Sequence, residues 1–196
     1  MRVLAVGAHP DDFEYGCFGT LALHAMNNDE LFGLTLSKGN LGGDGRESEG
    51  KSGADVIGMN LTFGHFQDGV IKNDLETVSF IENFVKKHEI DVIYTTSLHD
   101  RHQDHRNVAL SVLVAGRTVS EIYSFETISC MNDFHPTMFV DISDVINVKH
   151  NALSKHVSQS QKYYIKNIDY IHKYRALKIG DPDKFYESFE VLKIVK

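Results

Sequence analysis

Two short stretches of the 196-residue chain hold the residue types that could do chemistry. "AHPDD" (8–12) places a histidine, a proline and two adjacent aspartates at the end of an apolar run, and "HDRHQDH" (99–105) holds three of the chain's eleven histidines. One aspartate after a strand is ordinarily a helix cap, and Asp11 with Glu14 has the spacing of a capping box. That accounts for one aspartate, not for two and a histidine. His9 and Asp12, joined by one histidine of the second stretch, would supply three protein ligands, the number a catalytic zinc site uses while leaving one position open to water. Asp11 beside them is then placed to take the proton of that water as it attacks a carbonyl. In "HQDH", one histidine can bind metal while the other faces the reacting group, with Asp104 available to orient it or to cap the helix that follows. Two histidines and a carboxylate can also hold non-haem iron in an oxygenase. The additional Asp11 has a task in hydrolysis and no evident one in oxygen chemistry.

These side chains need a scaffold that brings the two stretches together. "RVLAVGA" (2–8), "LFGLTLS" (31–37), "LTFGHF" (61–66), "DVIYTTS" (91–97), "SEIYSFE" (120–126) and "TMFVDI" (137–142) read as strands. Helical patterns fall between them at 13–27, 46–58, 72–88 and 104–117. This alternation predicts an α/β, Rossmann-like three-layer fold: a mostly parallel sheet with helices on both faces. Wound in the order 3-2-1-4-5, strands 1 and 4 become neighbours where the winding reverses, and ligands bind outside the carboxyl ends of the strands at that point. "HPDD" follows strand 1 and "HDRHQDH" follows strand 4, so the topology delivers both to one crevice.

Composition sets the remaining bounds. With 42% hydrophobic and 24% charged residues and no low-complexity tract, the chain reads as one ordinary globular domain over 1–196. No apolar run approaches the length of a membrane span, and the start shows no basic leader, which places the protein in the cytoplasm. Cys17 and Cys130 stand in unrelated contexts and read as buried free thiols. The net charge of -7 is uneven: residues 1–148 carry 10 Lys+Arg against 22 Asp+Glu, residues 149–196 carry 10 against 5. The basic-aromatic stretch "KYYIKNIDYIHKYRALK" reads as a packed helix rather than a nucleic-acid surface, because Tyr164, Ile168, Ile171 and Arg175 share one helical face.

The residues together resemble the LmbE/PIG-L family of metal-dependent amino-sugar N-deacetylases. "AHPDD" and "DRHQDH" carry the resemblance; "RESEGKSGADVIG" (46–58), "FQDG" (66–69), "FVDISD", "KHNALSKHVSQ" and the closing "FYESFEVLKI" extend it over nearly the whole chain. It implies zinc, with ferrous iron as the alternative, on His9, Asp12 and His105. It implies Asp11 as general base and His102, tuned by Asp104, as the group that stabilises the tetrahedral intermediate or protonates the leaving amine. Arg46 and Asp68 would contact the substrate, an N-acetylated sugar conjugate; a homo-oligomer is compatible with this reading. Two features depart from the family pattern: "SKGNLGGDG" carries Asn40 where a glutamate is common, and the chain is short. The competing reading is a metal-carrying sugar-binding protein without catalysis, against which an intact Asp11 and His102 speak. "GNLGGDG" lacks the Lys-Ser/Thr of a phosphate-binding loop and is expected at the pocket rim.

Overall fold

The structure, a computed structural model, describes residues 1–159 and 165–195. Seven strands form one sheet: β1 (Arg2–Gly7), β2 (Glu30–Ser37), β3 (Asn60–Phe66), β4 (Val92–Thr95), β5 (Glu121–Phe125), β6 (Met138–Asp141) and β7 (Tyr186–Ile194). Their order is β3-β2-β1-β4-β5-β7-β6. The first five are parallel in the expected 3-2-1-4-5 arrangement, while β7 lies antiparallel to both β5 and β6. The chain therefore reverses between β1 and β4, where Val3 pairs with Val92 and Val6 with Thr95.

Strand side chains alternate between the two faces, and each face has its own helices. Leu4, Val6, Leu34 and Ile93 pack with Ile81 and Val85 of α4 (Leu75–His88) and Val108 and Val112 of α5 (Gln103–Ala115). Val3, Ala5 and Tyr94 meet Phe13 of α1 (Asp12–Gly16), Phe18 and Leu21 of α2 (Phe18–Met26), Ala54 of α3 (Arg46–Ala54) and Ala152 of α6 (Ile146–Leu153). Each large aliphatic or aromatic side chain so buried contributes about 1.5–3 kcal/mol.

The expected helix 13–27 is two helices: at Cys17 the backbone leaves the helical region (φ −143°, ψ 12°). Gly16 sits there against the ring of Phe125, where a Cβ would come within 2.1 Å of Cδ2. The expected helix 46–58 ends at Ala54 and continues as a 3-10 turn to Ile57, because Gly58 takes a left-handed conformation (φ +66°). Cys17 is buried as expected; Cys130 is only half-buried. In α7 (Ile165–Lys178), Ile168 packs with Tyr15 and Leu153 and Ile171 joins them; Tyr164 of the expected face lies outside the described residues. A fully buried ion pair ties the late chain to the early one. Lys149 Nζ reaches Glu187 Oε1 at 2.6 Å, and Glu187 accepts the Gly19 and Thr20 N–H groups at 2.9 and 2.7 Å, capping α2. Among the described residues no helix is long and apolar enough to cross a membrane.

Candidate active site

At the carboxyl ends of β1 and β4, a cavity of about 380 Å³ is lined by His9, Asp11, Asp12, Arg46, Asp68, His102 and His105. Those are seven of the eight residues singled out from the sequence. Asp104 lies beneath, fully buried.

β1 ends at Gly7, and the next residues turn tightly into α1. The turn is held by Asp12, the first residue of α1, whose Oδ2 accepts the N–H groups of Ala8 and His9 at 2.7 and 3.0 Å. Gly7 leaves room there: a Cβ would stand 3.0 Å from the Asp12 Cβ and 3.2 Å from that same oxygen, closer than side chains ordinarily pack. Asp12 Oδ1 faces His105 Nε2 at 3.2 Å, and Oδ2 is 3.9 Å from His9 Nδ1. Ligands at about 2.0–2.1 Å from a tetrahedral ion lie roughly 3.3 Å apart. The His105–Asp12 spacing has that length, whereas the His9–Asp12 spacing is longer and involves the other Asp12 oxygen. Among the described residues, two groups have ligand atoms within 4.8 Å of one another: nitrogens of His9, His102 and His105, and ligand atoms of His9, Asp68 and Asp104. The first holds two of the three expected ligands and neither holds Asp12.

The far nitrogen of each expected ligand histidine rests on carboxylates. His9 Nε2 meets Asp68 Oδ1 at 3.0 Å and Asp104 Oδ2 at 3.2 Å, while His105 Nδ1 meets Asp100 Oδ2 at 2.8 Å. Such contacts fix the ring and leave the other nitrogen for a metal. Burial alone would lower both imidazole pKa values, but the carboxylates outweigh it and hold His9 up at about 9 and His105 at about 10. The surroundings thus strongly favour positive charge, and the residues present fit a divalent cation.

Asp11 is the residue before α1 and has a left-handed backbone (φ +104°), a strained conformation for a non-glycine residue. Its side chain makes no cap hydrogen bond, so the capping-box reading fails. Instead Arg46 Nη2 stands 2.8 Å from Asp11 Oδ2, an ion-pair contact without hydrogen-bond alignment. Burial raises the Asp11 carboxyl to about 6, with Arg46 pulling it back. Arg46 itself is buried, donating to Pro10 O at 2.5 Å and Gly39 O at 3.4 Å. It borders the cavity, but its guanidinium is committed to the Asp11 turn.

His102 caps α5: its Nδ1 accepts the Asp104 N–H at 3.2 Å. The proton of the neutral ring is therefore on Nε2. Burial and the neighbouring His105 and His9 lower the His102 pKa, which keeps that ring neutral. Asp104, expected to tune His102, acts on that ring through its charge, which pulls the pKa up against burial, while its oxygens bond elsewhere. Oδ2 and Oδ1 accept the N–H groups of Gly69 and Ile71 at 2.7 and 3.1 Å, and Oδ2 also meets His9. Asp104 thus ties the post-β3 turn to the His9 ring. Asp68, expected to contact substrate, accepts the Leu41 N–H at 2.9 Å with the oxygen not used by His9. That bond brings Leu41 and Gly42 of the "GNLGGDG" stretch to the cavity rim.

Two groups escaped the sequence reading. Asp100, fully buried, accepts the His102 N–H at 2.7 Å and the His105 ring, and also takes the Thr127 hydroxyl. It belongs to the "HDRHQDH" stretch, and its spacing to His105 was the available signal. Glu14 and His156, both buried, pair at 3.2 Å beside α3; nothing local in either neighbourhood announces the other.

Comparison with known proteins places the chain in a family. Residues 4–115 match the family model described as PIG-L: GlcNAc-PI de-N-acetylase. A curated relative, the uncharacterized deacetylase YaiS of Escherichia coli K12, is 34% identical over 169 residues, covering 80% of this chain and 90% of its own. The diacetylchitobiose deacetylase of Thermococcus kodakarensis is 25% identical over 189 residues, covering 81% of this chain and 70% of its own. Among solved structures, the conserved protein TT1542 from Thermus thermophilus superposes with a TM-score of 0.88 at 21% identity, over 100% of this chain and 96% of that one. GalB, a 4-carboxy-2-hydroxymuconate hydratase from Pseudomonas putida KT2440, does so with 0.83 at 20% identity, over 100% and 99%. At those identities the two structures establish the shared fold alone.

Proposed function

The chain belongs to the PIG-L family, and from that premise we propose that it is a zinc-dependent hydrolase releasing acetate and a free amine from an N-acetylated, GlcNAc-type sugar conjugate. The whole of 1–196 is read as one deacetylase domain, since β6 and β7 complete the sheet begun by the matched region. His9, Asp12 and His105 would hold the ion. When bound, it acidifies a water and polarises the acetamide carbonyl.

The chain's own groups do the rest. Asp11, held at the cavity wall by Arg46, accepts the proton of the attacking water. His102 Nε2–H donates to the developing oxyanion, its direction fixed by the backbone bond at Nδ1. The amine leaves with the proton that the water has given up. Asp100, Asp68 and Asp104 hold the two ligand rings in register. Arg46 positions the base rather than the sugar.

The observation that carries this reading is the pair of carboxylate-backed histidines converging on Asp12 with Asp11 beside them. A sugar-binding module has no use for a strained, buried carboxylate next to a ligand set. The test is a panel of N-acetylated monosaccharides, glycosides and nucleotide sugars, with released acetate measured before chelation, after it, and after zinc or ferrous iron is restored. Acetate from at least one conjugate, lost on chelation and regained with zinc, is the expected result. Because a hydratase shares the fold, the panel includes unsaturated dicarboxylates. Hydration of these by the metal-loaded protein, with no acetate from any sugar, would overturn the proposal.

A further inference from the structure

Helix α3 begins at Arg46, the residue that holds Asp11, yet apolar packing does little to fix it. Its sequence "RESEGKSGA" has one apolar side chain, Ala54, in the core. What it lays on the rest of the protein is a polar and glycine face: Arg46, Gly50 and Gly53 are spaced i, i+4 and i+7, and all are buried. Two glycines inside so short a helix weaken it, and their surroundings show what they allow. A Cβ on Gly50 would stand 3.3 Å from the Pro10 Cβ, and one on Gly53 would stand 2.6 Å from Glu14 Oε1 and 3.2 Å from His156 Nε2. The face thus follows the catalytic turn from Pro10 and Asp11 to Glu14.

The far end of that face rests on a buried ion pair that the proposed mechanism does not use. Nε2 of His156 lies 3.2 Å from Glu14 Oε1 in a contact without hydrogen-bond alignment, and neither residue has another ion-pair partner among the described residues. Burial alone would lower the His156 pKa, but Glu14 and then Asp11 outweigh it, so the ring brings positive charge beside two buried carboxylates. An unpaired buried carboxylate is costly, which ties the place of Glu14 to His156. His156 also leads into a 3-10 turn (Val157–Gln159) that grips α3 and the cavity rim from outside. Ser158 donates its N–H and hydroxyl to the two Glu49 oxygens at 2.8 and 2.6 Å, and Gln159 Nε2 donates to Gly42 O at 3.1 Å.

Resting on the deacetylase reading, we propose that Glu14 and His156 are positioning residues for the base: their pair seats the glycine face of α3, and α3 in turn sets Arg46 against Asp11. The Asp11 backbone is strained and its side chain makes no cap bond, so the guanidinium is what aims the carboxylate. Neither Glu14 nor His156 lines the catalytic cavity. Their effect therefore belongs in kcat and not in KM.

His156→Ala, Asp11→Asn and the double variant, each loaded with zinc, test this through bound metal and acetate release from N-acetylglucosamine or, where that is not turned over, from the panel conjugate that is. His156→Ala should keep its metal and its KM and lose about tenfold or more in kcat, since small misplacements of a reacting group are expensive. In the Asp11→Asn background the same change should cost under about twofold, because its route to the reaction is already cut. His156→Gln, which still donates to Glu14, should recover most of the loss. A kcat within about twofold of the wild type, or an equal loss in both backgrounds, overturns the proposal. Gly53→Ala disturbs the seat while favouring the helix, and so covers the case in which His156→Ala does not fold. It should lower kcat with metal retained; full activity overturns the proposal. Amide hydrogen exchange reads the seat without turnover. Protection of residues 46–54 should fall about tenfold in His156→Ala, or in Glu14→Gln should the first not fold, while β1 and β4 stay protected. If no conjugate yields acetate with the wild type, the deacetylase reading fails and exchange alone decides: a fall at 46–54 keeps the seat, and unchanged exchange overturns it.

Discussion

Near the amino ends of the strands, His24 of α2 gives Nδ1 to Asp29 at 2.7 Å and Nε2 to the buried Tyr94 hydroxyl at 3.0 Å. At the carboxyl ends, His105 gives Nδ1 to Asp100 at 2.8 Å, but its Nε2 faces Asp12 across a cavity shared with His9 and His102. Both regions pair a histidine with an aspartate. In the first, both ring nitrogens are spent on the fold and the histidine works as a strut between α2 and β4. In the second, His9 and His105 each spend one nitrogen on carboxylates and turn the other toward Asp12 and the cavity. What separates a site from a strut is convergence of unspent donors at the point where the sheet reverses, not the residue types themselves.

Removing a converging donor should therefore have the largest effect. His105→Ala should lose bound metal, by elemental analysis, and lower turnover by about 10³-fold or more; full activity with metal retained would dissolve the contrast. Next comes the group behind that donor. Asp100→Asn can still accept the His105 N–H but no longer carries charge, and it should weaken metal binding about 10–100-fold in a competition titration while the fold stays intact. A metal affinity equal to the wild type would mean that Asp100 serves only the turn. The smallest effect is expected at the opposite end. His24→Ala leaves the Tyr94 hydroxyl without its partner and should cost about 1–2 kcal/mol in urea unfolding, with kcat/KM unchanged. A loss of turnover matching that at Asp100 would show that the strut also supports the site.

Much of this was legible in the sequence because local pattern sufficed. Short apolar runs marked the strands, the βαβ rhythm pointed to the common 3-2-1-4-5 winding, and in that order strand ends 1 and 4 meet. The antiparallel placement of β7 between β5 and β6 was not legible, since strand pairing at that distance leaves no local trace. The break at Cys17 depends on Phe125 lying across Gly16, more than a hundred residues away. Side-chain direction was the other gap. Arg46 and Asp68, read as substrate contacts from the resemblance, do line the cavity. That one also reaches back to Asp11 and the other also grips His9 and Leu41 was not legible. Asp104 acts on His102 through its charge, as the sequence suggested, but its carboxylate also bonds His9, which the sequence did not show. Residue type and spacing predict which groups share a pocket; which neighbour each one holds depends on packing that only the folded chain defines.

The central claim is that the two adjacent aspartates have different work, Asp12 on the metal and Asp11 on the water. Asp11→Asn, examined for bound metal and for acetate release on the same sample, tests it most directly. The account predicts metal content at the wild-type level with turnover lowered about 10³-fold. Metal retained together with wild-type turnover would contradict it.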